Sequence, residues 1–179
     1  MAAKANAATM IIDHLVDALG GEPASKLMRA MILVDIDAHP GTTQSDILDR
    51  LDTNKSALNR DIEWLYDYGC ITRTQSDDDA RSVHLRACGY AKKNIDLALA
   101  YFNDDHKNLQ NFLNSLINLF GQHKPTLRDA KIVSVIGKNG SVTRQQIFES
   151  LYNGPTSTDN RAVNNLINFG LVQKKDDNE

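Results

Sequence analysis

Six side chains carry most of the chemistry this sequence offers: Asn54, Lys55, Ser56, Asn59, Arg60 and, farther along, Arg81. The first five fall on the opening turns of a helical pattern, and no acid stands among them before Asp61. An asparagine amide can pair with both hydrogen-bonding positions on an adenine edge, and a guanidinium with those of guanine. Lysine and serine reach either phosphate or base. A helix end that offers several donors and no carboxylate suits a polyanion whose edges carry information.

Other residues with reactive or ligating side chains form weaker constellations. Asp35, Asp37 and His39 alternate, but on a helix i, i+2 and i+4 do not share one face, so they read as surface groups rather than metal ligands. Cys70 and Cys88 flank a hairpin that turns near Asp78 and Asp79, which would bring the two thiols opposite each other at its base, within disulfide reach. Small buried cysteines are also ordinary core residues. No nucleophile–base pair, glycine-rich phosphate loop or zinc-type spacing is present, so no catalytic residue, cofactor, metal site or enzymatic activity is expected.

The elements that must position the six residues run from Thr43 to Ala87. Thr43 can cap a helix with Asp46 as its capping-box partner, and Ile47, Leu48 and Leu51 form its apolar stripe. Asp52-Thr53-Asn54 makes a turn, with Asn54 or Ser56 as the next cap. The following helix runs to Tyr68 and buries Leu58, Ile62 and Leu65 at i, i+4 and i+7. Gly69 fits the left-handed stop. Ile71–Gln75 and Ser82–Ala87 alternate as strands around a polar tip that holds Arg81. Helix, turn, helix, stop and hairpin in that order predict a winged helix-turn-helix.

Helical periods flank this unit. Ala8–Leu19 and Ser25–Ala38 precede it, the second stopped by His39-Pro40-Gly41. After Gly89 the period returns through Phe102, and again from Leu109 to Phe120. Gln122-His123-Lys124-Pro125 marks a boundary. Beyond it Leu127–Ile136 is helical, Thr143 opens a helix with Gln146 as capping partner, and Asn153-Gly154-Pro155 turns the chain. Thr156–Phe169 is the last helix, Gly170 its stop, and Leu171–Lys175 reads as a single strand.

An internal repeat links the two halves. Ile47 and Leu51 match Ile147 and Leu151 at an offset of 100, while Asn59-Arg60, Leu65 and Gly69 match Asn160-Arg161, Leu166 and Gly170 at 101. A second, reduced winged helix is therefore expected, with Asn160 and Arg161 where the first unit has Asn59 and Arg60. Asp159, which falls where the repeat puts buried Leu58, counts against base reading there. The division expected is 1–42 for N-terminal supporting helices, 43–88 for the winged core, 89–123 for linking helices and 124–179 for the second unit.

Length, composition and charge are those of a globular, helix-rich chain: 179 residues, 41% hydrophobic, 6% aromatic and a net charge of −3. Residues 43–87 carry six basic and nine acidic side chains, a net of −3, whereas residues 124–175 carry eight and three, a net of +5. The positive field that phosphates attract therefore lies around the second unit. The N-terminus is too short and polar for a signal peptide or membrane span, and a cytoplasmic location is expected.

Residues 25–102 resemble the MarR family of bacterial winged-helix regulators, through TQSDILDRL, NKSALNRDIEWLYDYGCI, the wing DDDARSVHL and the Gly89 that opens a return helix. The resemblance implies a homodimer built from the N-terminal helix and the helices after the wing. It also implies a recognition helix in the major groove through Asn54, Lys55, Ser56, Asn59 and Arg60, a wing arginine, Arg81, in the minor groove, and Thr43 and Gln44 beside a phosphate. Any small-molecule effector would lie between the dimer helices and the winged helix. This sequence departs from the family in a single wing arginine and in Trp64, at a surface position usually charged.

The expected function is sequence-specific binding of double-stranded DNA at a palindromic site for transcriptional control, as a repressor. Alternatives are an accessory DNA-binding protein of plasmid or phage replication, partition or conjugation, whose tandem winged helices in one chain read adjacent elements, and a winged-helix protein-interaction scaffold that binds no DNA.

Overall fold

Most helices of this chain begin on a short polar residue whose side chain takes up an orphan backbone amide, and these caps fix where the elements start. In the computed structural model, which describes residues 6–79, 81–151 and 156–175, Asn6 opens α1 (Ala7–Ala18) through a capping box with Thr9. Thr43 opens α3 (Gln44–Arg50) with Asp46, and Asn54 opens α4 (Lys55–Asp67) by accepting from the Ala57 amide. Between α1 and α3 lies α2 (Leu27–Ala38), entered without a side-chain cap.

Gly69 follows α4 at φ +69°, a left-handed conformation that side chains resist, and so turns the chain into the hairpin. Strands β1 (Ile71–Gln75) and β2 (Val83–Ala87) pair antiparallel with Ile71 opposite Ala87 and Gln75 opposite Val83. A third extended segment joins them: the Gly41 amide donates to the Leu85 carbonyl at 2.8 Å and the Leu85 amide to the Thr42 carbonyl at 2.8 Å. The wing is thereby stitched to the entry of α3.

Helix α5 (Gly89–Leu99), a 3-10 turn through Phe102 and α6 (His106–Phe120) lead to α7 (Leu127–Asn139), α8 (Arg144–Glu149) and α9 (Ser157–Asn168). Thr126, Thr143 and Thr156 cap these last three, each in a capping box with the residue three positions on. The fold is mainly helical with a two-stranded antiparallel wing.

Two hydrophobic cores organise the packing. The larger gathers α1 to α6 and both strands, and it also takes Leu127 and Ala130 from the start of α7. The smaller joins Phe120 of α6 to Ile132, Ile147, Val163 and Leu166. Each fully buried leucine or isoleucine contributes about 1.5–3 kcal/mol by leaving water. Helix α1 packs against α5 and α7, and α6 packs against α2, so the segments before and after the winged core are built into it.

Several expectations from sequence require correction. Leu171–Lys175 is not a strand, because among the described residues no partner segment lies beside it to take its hydrogen bonds. Asp35 and Asp37 are buried, not surface groups. Asp35 receives a forked pair from Arg50, with Nη2 at 2.7 Å and Nε at 3.0 Å, while Asp37 lies 2.7 Å from His106 Nε2. Their burial is tolerated because each is met by a donor from another helix. The turn expected at Asn153-Gly154-Pro155, and Ala80 of the wing, lie outside the described residues. No described helix is long and apolar enough to cross a membrane.

Candidate nucleic-acid interface

Helix α4 presents its apolar stripe, Leu58, Ile62 and Leu65, to the core, which leaves its polar residues outward. Asn54, Lys55, Ser56, Asn59 and Arg60 are all exposed on the first two turns. Among the described residues, Lys55 and Arg60 form no ion pair, so both cations are available to an outside partner. The positive end of the α4 dipole adds to their field.

The acids of this helix are largely consumed elsewhere. Asp61 is buried and lies 2.9 Å from Arg29 Nε on α2. Glu63 is held by Arg73 of β1, at 2.8 Å from Nη2. Only Asp67, in the last turn, stays exposed without a partner among the described residues. The repulsion that three carboxylates would exert on a phosphate backbone is therefore reduced by two internal arginines.

Trp64, which sequence alone left on the surface, is half-buried and sandwiched. The Arg29 guanidinium lies 4.2 Å from its ring centre, and Tyr68 stacks on it at 4.0 Å. Arg29 thus fixes α4 twice, through Asp61 and through the indole. The departure from the family pattern at Trp64 has a packing reason.

Thr43 and Gln44 are half-buried at the start of α3. The Thr43 hydroxyl donates to Asp46 at 2.8 Å and accepts from the Asp46 amide, so it is spent on its cap. Donation from the Thr43 amide and hydroxyl also holds the Asp46 carboxyl below the usual aspartate range. Gln44 Nε2 donates to Asn59 Oδ1 at 3.3 Å and so ties the two helices together across the reading face. Asn54 uses its carbonyl oxygen on the Ala57 amide at 2.8 Å, which leaves its NH2 free to donate.

Arg81 stands exposed on the wing, and its guanidinium has no ion pair among the described residues. Asp79 accepts from the Arg81 backbone amide at 2.9 Å, and Ser76 Oγ accepts from the Asp78 and Asp79 amides. Asp78 and Asp79 thus build the turn, and none of the described aspartates forms an ion pair with the Arg81 guanidinium.

The hairpin pairs Cys70 with Cys88 as the sequence register implied, with the Cys88 amide donating to the Cys70 carbonyl at 3.0 Å. The thiols turn elsewhere. Cys70 Sγ lies 3.3 Å from Tyr90 Oη and 3.5 Å from the Ala18 carbonyl, while Cys88 Sγ lies 3.4 Å from the Gly69 carbonyl. Burial pushes the Cys70 thiol above its ordinary value, so it is a poor thiolate.

In the second unit Asn160 and Arg161 are exposed on the first turns of α9. Asp159, the residue that weighed against this helix, is buried in the Thr156 capping box and lies 3.1 Å from Arg128 Nε on α7. It points inward and leaves the outer face free of acid. Sequence reasoning missed Arg144 and Asn164: Arg144 Nη1 donates to Asn160 Oδ1 at 3.4 Å and Nη2 to Asn164 Oδ1 at 2.6 Å. The signal was available, since Arg144 stands 100 positions after Gln44 and Asn164 one turn after Asn160.

Residues 27–83 match the model of the MarR family. The segment from α2 to the first residue of β2 is thus a MarR-like winged helix. Among solved structures, the chain is similar to MarR at 21% identity and a TM-score of 0.41, over 55% of this chain and 69% of that one. It is also similar to Streptococcus pneumoniae FabT in complex with DNA, at 22% identity and a TM-score of 0.36, over 60% of this chain and 65% of that one. No curated protein matches the chain.

Proposed function

We propose that this protein binds double-stranded DNA in a sequence-specific manner and controls transcription, as a repressor that occupies its site. The observation that carries the reading is the outer face of α4. Lys55, Ser56, Asn59 and Arg60 are exposed at a helix N-terminus beside a wing that offers Arg81, while Asp61 and Glu63 are held by Arg29 and Arg73. A recognition helix needs donors at its first turns and no competing carboxylate, and that is what the internal ion pairs leave.

The match of residues 27–83 to the MarR family supports a regulatory rather than a catalytic role and a cytoplasmic location beside the DNA. A single helix in one major groove covers only a few base pairs, so specificity calls for two reading heads. Two chains on a palindrome would supply them, as the resemblance implies for a homodimer. Two units of one chain would supply them equally.

The test is selection from a pool of random-sequence duplexes by the full-length chain, followed by titration of the enriched duplex at several salt concentrations. Enrichment of a defined motif, with affinity falling steeply as salt rises, supports the reading, because each neutralised phosphate releases counterions. Failure to enrich any motif, or a flat salt dependence, favours a protein-interaction scaffold.

A further inference from the structure

Two stretches of backbone meet where α2 and α7 begin, and they meet symmetrically. The Leu27 amide donates to the Pro125 carbonyl at 2.9 Å, the Leu127 amide donates to the Ser25 carbonyl at 2.9 Å, and Lys26 pairs antiparallel with Thr126. An antiparallel pair has a local two-fold axis between its paired residues. Here that axis relates Ser25, Lys26 and Leu27 to Pro125, Thr126 and Leu127, each 100 positions on. The internal repeat has the same offset: Leu27, Ile32 and Ile47 correspond to Leu127, Ile132 and Ile147, all buried.

The correspondence extends upstream to whole helices. Helix α6 precedes α7 as α1 precedes α2, and Gly21 and Gly121 follow at the same offset, both at positive φ. Each of these first helices crosses to the other unit, α1 onto α7 and α6 onto α2. Their opening residues reach across in parallel fashion: Asn6 Nδ2 donates to the Ser134 carbonyl at 3.2 Å, and His106 Nε2 lies 2.7 Å from Asp37. Lys131 of α7 closes the α1 side, 2.7 Å from Asp13.

We infer that the chain is an internal pseudo-dimer, two units at 6–71 and 106–172 related by a two-fold axis, and that α4 and α9 read two unlike half-sites of one duplex from a single chain. The inference rests on the DNA-binding reading above. A two-fold axis sets two reading heads at equal height and opposite azimuth, the relation that half-sites on a duplex require. Helices α1 and α6, which the family resemblance assigns to a homodimer interface, are spent inside the chain. Residues 171–175, which stand where the repeat puts β1, form no strand among the described residues, so the two heads differ and so do their half-sites.

The second head keeps the design of the first. Gln44 bonds to Asn59 across α3 and α4, and Arg144 bonds to Asn160 across α8 and α9 at the corresponding positions. The outer face of α9 offers Asn160, Arg161, Asn164 and Asn165, all exposed, with its acid Asp159 turned inward to Arg128. Side-chain amides in that number suit adenine edges, and the net charge of +5 over residues 124–175 supplies phosphate attraction that the first unit lacks.

The test uses the full chain and the duplex it enriches from a random-sequence pool. Complex mass by analytical ultracentrifugation and hydroxyl-radical footprints are measured for wild type, Arg60→Ala, Arg161→Ala and Asn164→Ala, with circular dichroism confirming that each variant is folded. The expected result is one chain per duplex and two protected blocks of unlike sequence. Arg60→Ala should erase one block, and Arg161→Ala and Asn164→Ala the other, each weakening binding by roughly tenfold. Two chains on a palindrome, a single block, or footprints unchanged by both α9 variants would overturn the inference while leaving DNA binding intact. A wild-type chain that enriches no duplex overturns the DNA reading and this inference together.

Discussion

Arg29 and Asp61 lie 2.9 Å apart between α2 and α4, and the same guanidinium covers the Trp64 ring at 4.2 Å. One side chain therefore sets the angle at which the reading helix leaves the core and removes a negative charge from it. Breaking a buried ion pair from one side leaves an uncompensated charge, at a cost of about 3–5 kcal/mol. Arg29→Ala is expected to cost toward the lower end, since Arg29 is partly exposed, and Arg29→Met less, because it keeps the cover on Trp64. Urea unfolding followed by tryptophan fluorescence measures both, and equal losses for the two would remove the role given to the stacking.

Arg60 and Arg81 should separate by what they touch. If Arg60 reads a base, Arg60→Ala costs about 1–3 kcal/mol and relaxes specificity at one position. Arg81, on the wing, should act through minor groove and backbone, so Arg81→Ala weakens binding evenly across sequences and lowers the salt slope by about one. Titration of the enriched duplex and of single-base variants at several salt concentrations resolves the two patterns. Full affinity in both variants would refute the reading face.

The hairpin thiols should differ in reactivity. Cys70 is buried with a raised pKa, and Cys88 is partly exposed, so iodoacetamide at mildly alkaline pH should label Cys88 first. A thiol whose pKa is higher folded than unfolded stabilises the fold fully below its unfolded value, about 8.5. That contribution is lost as pH rises through the folded value. Stability should therefore fall on the alkaline side, and Cys70→Ala should flatten the decline. Diamide should leave DNA affinity unchanged, because the two sulfurs bond to different partners; a diamide-sensitive affinity would show that the two thiols can close a disulfide at the hairpin base.

Removal of everything after His123 should destabilise the first unit as well as delete α7, α8 and α9. Leu127 and Ala130 belong to the larger core, and Lys131 holds Asp13 at 2.7 Å. Loss of buried Leu127 alone is worth about 1.5–3 kcal/mol. Comparison of melting temperatures for the truncated and full chains tests this, and identical values would show that the two units are energetically independent.

The winged core was legible because its signals are local. Thr43 with Asp46, Asn54, and Gly69 after Tyr68 each act within a few residues, and the apolar spacing of Leu58, Ile62 and Leu65 fixes which face is free. The exposed reading residues follow from that spacing by elimination. The repeat was legible in the same way for α8 and α9, including the capping threonines.

Three-dimensional packing decided the rest. That Asp35, Asp37, Asp61 and Asp159 are buried, while Asp67 remains exposed, depends on arginine or histidine partners brought from other helices. No periodicity within one helix encodes a partner 15 to 69 positions away. Sequence specified the helices α3, α4, α8 and α9 with their caps and free faces. The tertiary structure alone decided that the entries of α2 and α7 pair antiparallel at Lys26 and Thr126, since backbone pairing between distant segments depends on the closure of the whole chain.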